Sequence, residues 1–197
     1  MKIYDISQEV FSCKVYPGDP KPERQTLSAT EKGDMYNLTA FSMCAHNGTH
    51  IDAPFHFVST GKTVEQLDLS TFVGACYVAR HNGFVTAADA VSILQNANGA
   101  ARILIAGAAT VTAEAAEIFA DSGICLLGNE SQTVGPEDAP MQVHLILLQK
   151  NVVLLEGAVL TAVPEGHYFL SAAPLCLAGA DGAPCRACLI PWNPSTP

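Results

Sequence analysis

The sequence predicts an α/β fold, and two observations support this prediction. Three short runs rich in β-branched, aromatic and aliphatic side chains lie between residues 70 and 127 and are separated by helical segments. Each helical segment begins at a typical N-cap residue, Thr86 or Thr112, and is followed by a glycine that ends it. The order strand, helix, strand, helix, strand is typical of a parallel sheet with helical connections. The predicted elements are strand 70–79, helix 86–95, strand 102–106, helix 113–120 and strand 124–127.

The remaining segments predict shorter elements around this centre. Residues 128–140 are dense in Gly, Pro, Asn and Asp, which indicates a loop. The first sixty residues predict strands and loops, and Asp181-Gly182 predicts a turn. We expect one domain over residues 1–197. The other predicted elements are one or two helical turns at 143–149, a buried strand at 152–155, and strands at 168–170, 175–178 and 185–190.

Composition excludes several classes of function. The 197 residues are 49% hydrophobic and 15% charged, which is typical of a folded protein and not of a disordered one. The net charge of −9, from 10 basic and 19 acidic residues, argues against nucleic-acid and anionic-membrane partners. The longest apolar stretches, such as residues 103–111, are too short to cross a bilayer, and the first residues do not resemble a signal peptide. We therefore expect a cytoplasmic protein that is either an enzyme or a binding domain.

The seven cysteines support the same compartment. Their number is odd and they are scattered through apolar surroundings, which indicates buried thiols and not a disulfide framework. Cys185 and Cys188 form the one close pair, but no second pair accompanies them, so a zinc ribbon is disfavoured. A redox role for this pair is the most distant of the alternatives.

Three of the six histidines fall within eleven residues, and this cluster is the strongest chemical signal. In an extended chain the side chains of His46, His50, Asp52 and His56 share one face, because all four have even numbers. Imidazole and carboxylate together are ligands of Zn²⁺, Mn²⁺ or Fe²⁺, and the absence of cysteine disfavours a closed structural zinc site. Such a site activates water when a coordination position is open. Gly48 would let the backbone pass close to a metal or ligand.

The other histidines carry weaker signals when the residues are considered alone. His81 is next to an Asn-Gly turn, and His167 has no neighbouring ligand except Glu165, so both are predicted to be ordinary. His144 lies in an apolar run, where a lone histidine is more often a core residue. Glu156 follows a predicted buried strand, and sites in α/β sheets form at the carboxyl ends of strands. Glu156 is therefore more suggestive than His144.

The run His46-x-Gly-Thr-His50-x-Asp52-x-Pro-x-His56 resembles the signature of the metal-dependent cyclase-like hydrolases, the family of bacterial kynurenine formamidase (arylformamidase) and isatin hydrolase. Two further segments, Tyr4-Asp-Ile-Ser and Asp181-Gly-Ala-Pro-x-Arg-Ala, are similar to the terminal patterns of that family. The resemblance implies a swivelling β/β/α architecture, two zinc ions (or manganese), and a homodimer or homotetramer.

The resemblance also implies roles for individual residues. His46, His50 and Asp52 would bind a first metal, with Asp52 reaching a second. His144 and Glu156 match the downstream His and Glu of the family in type and spacing, and would complete the second metal site. His56 would be the general acid and base. The residues expected to carry function are therefore metal ligands His46, His50, Asp52, His144 and Glu156, the catalytic His56, and the substrate-binding Tyr16.

Two departures from the family pattern bear on the substrate. Tyr16 precedes Pro-Gly-Asp where kynurenine formamidases have Trp, and residues 128–136 lack the usual Asp and Ser-x-Asp-Pro. The leading prediction is an arylformamidase that converts N-formyl-L-kynurenine to L-kynurenine and formate by metal-activated hydroxide. One alternative is a related hydrolase of another amide, lactam or lactone, such as an isatin-like lactam. The other is a non-catalytic protein that binds a metal or small ligand on the same fold.

Overall fold

The computed structural model describes residues 2–192, which form a mixed sheet with helices on one side. The three α-helices are α1 (Ala87–Ala97), α2 (Ala113–Asp121) and α3 (Met141–Gln149). The strands are β1 (Tyr4–Asp5), β2 (Glu23–Ser28), β3 (Leu38–Ser42), β4 (His50–Asp52), β5 (Val73–Arg80), β6 (Gly83–Val85), β7 (Arg102–Ala106), β8 (Ala109–Val111), β9 (Leu126–Asn129), β10 (Val153–Glu156), β11 (Gly166–Ser171), β12 (Gly182–Pro184) and β13 (Cys188–Pro191).

Nine strands form the main sheet in the order β1-β13-β11-β5-β7-β9-β10-β4-β12. The central pairs β5–β7, β7–β9 and β9–β10 are parallel, and the outer pairs are antiparallel. Each parallel connection contains one of the three helices, which confirms the predicted α/β class. The side chain of Thr86 accepts from the backbone N–H of Asp89, and Thr112 accepts from that of Ala115, so both predicted caps form.

Alternating residues of the central strands enter two different cores. Ile103 and Ile105 of β7 pack under the helices, together with the fully buried Phe119 of α2. Leu104 and Ala106 face the opposite side, where Phe72 is also buried among side chains of the outer antiparallel strands. Each face of the sheet therefore packs against an apolar core of its own. All five residues of β7 are buried, as expected for a parallel strand covered on both faces.

Several boundaries differ from the predictions. The strand predicted at 70–79 begins only at Val73, because residues 69–71 form a 3₁₀ turn capped by Asp68. The helical turns predicted at 143–149 are a full helix, Met141–Gln149. The strand predicted at 175–178 is wrong, since this segment makes local turns, with Ala180 N–H donating to the carbonyl of Leu177. The strand predicted at 185–190 begins at Cys188.

The hairpin β2–β3 pairs only with itself and lies outside the main sheet. Its large apolar side chains are exposed, and they include Leu27, Met35, Tyr36 and Phe41. No helix among residues 2–192 is long and apolar enough to cross a membrane.

Candidate metal centre

Strand β4 brings two of the predicted ligands into the interior. His50 and Asp52 point to the same side of this strand, and both are about 1% exposed. The strand is sandwiched between β10 and β12, and its antiparallel pairing with β10 places His50 opposite Glu156. Glu156 is the last residue of β10, at the carboxyl end of a central strand, as the sequence had suggested.

The predicted extended face is correct only for His50 and Asp52. His46 lies in a turn before β4, and His56 ends a 3₁₀ turn over Pro54–His56. The four side chains still converge, because the chain bends on both sides of the strand. Gly48 has a positive φ of 65°, and an added Cβ would lie 2.9 Å from the Cβ of Cys13, so this glycine makes room for Cys13 and not for a ligand.

Helix α3 carries His144, whose side chain lies beside Asp52 of β4 and Glu156 of β10. The Nδ1–H of His144 donates to the carbonyl of Pro140 at 2.9 Å, and the Nδ1–H of His50 donates to that of Gly48 at 3.0 Å. Because a carbonyl only accepts, the Nε2 atom of each ring is left without a proton in the neutral form. Metal-binding histidines characteristically donate their second ring nitrogen in this way. Both rings therefore have the tautomer that a metal ligand needs.

The donor atoms have the spacing of a coordination shell. The Nε2 atom of His50 lies 3.3 Å from Asp52 Oδ1 and 3.6 Å from Glu156 Oε2. The Nε2 atom of His144 lies 3.5 Å from Asp52 Oδ2 and 3.3 Å from Glu156 Oε1. Ligands about 2.0–2.1 Å from a tetrahedral zinc ion are roughly 3.3–3.4 Å apart. The donor set and its spacing thus fit divalent metal ions, with Asp52 and Glu156 both within reach of both imidazoles.

The carboxylates also set the charge state of the metal-free cluster. Burial lowers the pKa of His46, but the hydrogen bond and charge of Asp52, with those of Asp181, raise it to about 9. Burial likewise opposes protonation of His144, while Asp52 and Glu156 raise its pKa to about 10. Burial raises the pKa of Asp52, but hydrogen bonds from the three histidines hold it well below its usual range. The cluster therefore attracts cations, whether protons or metal ions.

Asp181 is the residue that the sequence reasoning missed. Its Oδ2 atom lies 2.9 Å from His46 Nε2 and 3.0 Å from His56 Nδ1. Partial burial raises the pKa of Asp181, but the hydrogen bonds from His46 and His56 lower it overall. The sequence predicted only a turn at this position, because Asp-Gly is a typical turn pair; its place in the carboxyl-terminal family pattern was the available signal.

The cluster lies at the base of a pocket of about 420 Å³. One ring nitrogen of His56 lies within 4.8 Å of donor atoms on His46 and Asp52, and the rings of His56 and His46 stack with centroids 4.0 Å apart. Tyr16 lines the pocket, and its hydroxyl donates to the carbonyl of Glu137 at 2.8 Å. The other wall residues are Asp19, Cys44, Phe57, Gln132, Thr133, Pro140 and Asp181.

His81 and His167 lie outside this cluster, as predicted. His81 Nε2 contacts the carbonyl of Phe84 at 3.0 Å, and the ring of His167 packs against Tyr77.

Histidines and carboxylates gathered in an open pocket of an α/β fold are typical of one class of protein, the metal-dependent hydrolases of small molecules.

Comparisons with known proteins identify the family within this class. The model of the Cyclase family ("Putative cyclase") matches residues 4–136. The kynurenine formamidase of Salinibacter ruber (strain DSM 13855 / M31) is 33% identical over 96% of this chain and 97% of its own length. That of Erythrobacter litoralis (strain HTCC2594) is 31% identical over 95% of this chain and 93% of its own. The chain therefore belongs to the Cyclase family.

Solved structures agree with this assignment. A protein described as "The Structure Of Potential Metal-Dependent Hydrolase With Cyclase Activity" is 30% identical, with a TM-score of 0.82 over 98% of this chain and 99% of that one. Isatin hydrolase A from Labrenzia aggregata has a TM-score of 0.83 over 95% of this chain and 93% of that one, and at 19% identity it shows the same fold. The predicted family, fold class and metal-dependent hydrolase class are confirmed.

Proposed function

We propose that this protein hydrolyses the formamide of N-formyl-L-kynurenine to L-kynurenine and formate. The observation that carries the proposal is the cluster of two buried carboxylates and three imidazoles at the base of one pocket, beside His56. Full-length relatives described as kynurenine formamidases support the substrate. A small planar amide also suits a pocket of about 420 Å³.

The proposed metal ligands divide into two sets that share Asp52. His46 and His50 would complete the first set, and their donor atoms lie 2.8 and 3.3 Å from Asp52 Oδ1. His144 and Glu156 would complete the second set around Asp52 Oδ2. When bound, divalent metals of this kind polarise a carbonyl and supply an activated water. Glu156 is held in place because its Oε1 atom accepts from the backbone N–H of Val134 at 2.8 Å.

His56 is proposed to move the proton. Its Nδ1–H donates to Asp181, which leaves Nε2 to take a proton from the attacking water and to give it to the leaving nitrogen. The side chain is 26% exposed at the pocket wall, so a substrate can reach it.

Aromatic side chains are proposed to hold the aryl ring. Tyr16 and Phe57 line the pocket together, and Phe57 packs edge-on against His56 with ring centroids 4.6 Å apart. The hydroxyl of Tyr16 donates to the carbonyl of Glu137, so the ring is held in place at the pocket wall. Tyr16 would therefore offer its ring face to the substrate and not its hydroxyl.

The test combines a substrate panel with two variants. The purified protein is assayed with N-formylkynurenine, simple formanilides, isatin-like lactams and lactones, before and after treatment with EDTA and re-addition of Zn²⁺ or Mn²⁺. We expect turnover of the formamide that EDTA abolishes and metal restores. Hydrolysis of a lactam with no formamidase activity would favour the isatin-like alternative. No turnover of any substrate by the metal-loaded protein would refute the enzymatic proposal and leave a binding protein.

The variants separate catalysis from metal binding. His56→Ala should keep its metal and lose about 10²–10⁴-fold in kcat, the range for general acid–base catalysis. Asp52→Ala should lose metal, because both proposed ligand sets share this carboxylate. Elemental analysis of both proteins measures the metal directly. Unchanged turnover in His56→Ala would exclude His56 from the mechanism, and full occupancy in Asp52→Ala would contradict its ligand role.

We further propose that the protein binds two zinc ions, with manganese as the substitute. We also propose that it is a cytoplasmic homodimer or homotetramer and that each chain folds as one domain. The seven cysteines are all free thiols, which supports a reducing compartment. The exposed apolar side chains of the β2–β3 hairpin, among them Met35 at 95% exposure, support burial against a second copy of the chain.

A further inference from the structure

Asp181 contacts two histidines of different proposed roles through a single oxygen atom. Its Oδ2 atom lies 3.0 Å from Nδ1 of His56 and 2.9 Å from Nε2 of His46. The backbone is also fixed, since the N–H of Ala53, directly after β4, donates to the carbonyl of Asp181 at 2.9 Å. The carboxylate is thus anchored to the same strand that carries the metal ligands.

The contact with Asp181 decides which nitrogen of a neutral His56 ring carries the proton. A carboxylate accepts and does not donate, so both ring nitrogens that face Oδ2 are N–H groups. In His56 this leaves Nε2 as the only nitrogen that can accept a proton. The Nδ1 atom of His46 faces a second carboxylate, because it lies 2.8 Å from Asp52 Oδ1 on the side of the proposed ligand cluster.

The two rings are also held relative to one another. They stack with centroids 4.0 Å apart and an angle of 28° between their planes, and the Asp181 oxygen joins their edges. Packing against His46 and Phe57 would still let the His56 ring flip about χ2, because His56 has no other side-chain hydrogen bond among the described residues. Asp181 removes that freedom.

We propose that Asp181 is a positioning residue that fixes the tautomer and orientation of His56 and couples them to the metal ligand His46. The proposal rests on the proposed function, since His56 needs a positioned Nε2 only if it transfers protons. Its consequence is that Asp181 contributes to turnover through His56. A carboxylate that orients an imidazole in this manner supports activity by about 10–100-fold.

The first test measures the tautomer and needs no activity. Zinc-loaded protein labelled with ¹⁵N at histidine is studied above pH 8 by long-range ¹⁵N–¹H spectra, with the His56 signals assigned from His56→Ala. We expect the Nδ1–H form in the native protein and its loss in Asp181→Asn, which preserves the size of the side chain. Asp121→Asn, which removes a carboxylate from the surface, is the control. An unchanged Nδ1–H form in Asp181→Asn would overturn the proposal.

The second test is a double-mutant cycle at saturating zinc. Asp181→Asn should lower kcat about 10–100-fold with KM changed less than about twofold. In the His56→Ala background the same change should have no further effect on kcat, because the group through which Asp181 acts is gone. An equal loss in both backgrounds would overturn the proposal and indicate a general structural role. Asp181→Ala, which removes the acceptor entirely, provides a second variant if the asparagine protein folds poorly.

The two tests fail in different ways. If the native enzyme turns over no substrate, the proposed function fails, and the tautomer measurement still decides whether Asp181 orients His56. If the native enzyme is active and Asp181→Asn matches it in kcat, the positioning role alone is refuted.

Discussion

Zinc binding should depend steeply on pH, because the proposed ligand histidines hold protons tightly in the metal-free protein. The pKa of His46 is about 9 and that of His144 about 10, so both rings are protonated at pH 7.5. Each must lose its proton before it can bind a metal. At pH 7.5 this competition weakens zinc binding by a factor on the order of 10⁴, and the association constant should rise about 100-fold from pH 7 to pH 8. The pKa of His50 is also raised, which makes the dependence steeper.

The assay is competition for Zn²⁺ between the metal-free protein and a chromophoric chelator from pH 6.5 to 8.5, with the protonation of the chelator taken into account. A plot of log K against pH should have a slope of at least about two. His144→Ala should reduce the slope by about one, whereas His167→Ala, outside the site, should leave it unchanged. A native slope below one would refute the reasoning, since it would mean that the imidazoles are already neutral in the folded protein.

Two further predictions concern stability. The metal-free protein should melt at a lower temperature as pH rises from 6.5 to 9. The pKa of His46 is raised from 6.5 to about 9 on folding, so its stabilising effect is complete below pH 6.5 and is lost progressively as pH rises to about 9. A melting temperature that rises over this range would contradict this. Gly157→Ala should destabilise the protein by about 1–3 kcal/mol more than Gly123→Ala, measured by urea unfolding. Both glycines have positive φ, but only at Gly157 would a Cβ collide with the carbonyl of Gly48; equal losses would show that this contact is relaxed.

Local signals in the sequence were sufficient for the central elements. The caps at Thr86 and Thr112 and the apolar run of β7 depend on neighbours within a few residues, and the structure forms all three. The segment at 175–178 has the same apolar character, but it turns locally and its larger side chains stay exposed, with Leu175 about 50% accessible. Composition alone could not show that difference, because the burial of a segment depends on which other elements pack against it.

The site was predictable to the extent that its residues are close in sequence. His50 and Asp52 share a strand face, which alternation predicts, and the family resemblance supplied His144. Asp181 was not predicted as a site residue because its partners, His46 and His56, lie far upstream in the sequence. They meet it only after β12 has paired with β4. An Asp-Gly pair gives the same local sequence signal whether its aspartate only begins a turn or also hydrogen-bonds two imidazoles.

The pairing of β4 also bears on the order of events in folding. This strand lies in the first third of the sequence, whereas both of its neighbours, β10 and β12, lie in the last third of the sequence. The parallel strands β5, β7 and β9 with α1 and α2 are nearer to one another in sequence and have less chain entropy to overcome. We expect them to assemble first and β4 to dock only after β10 and β12 are available. The proposed ligands on β4 and β10 would then meet late in folding, and a metal ion would bind only after the sheet has formed.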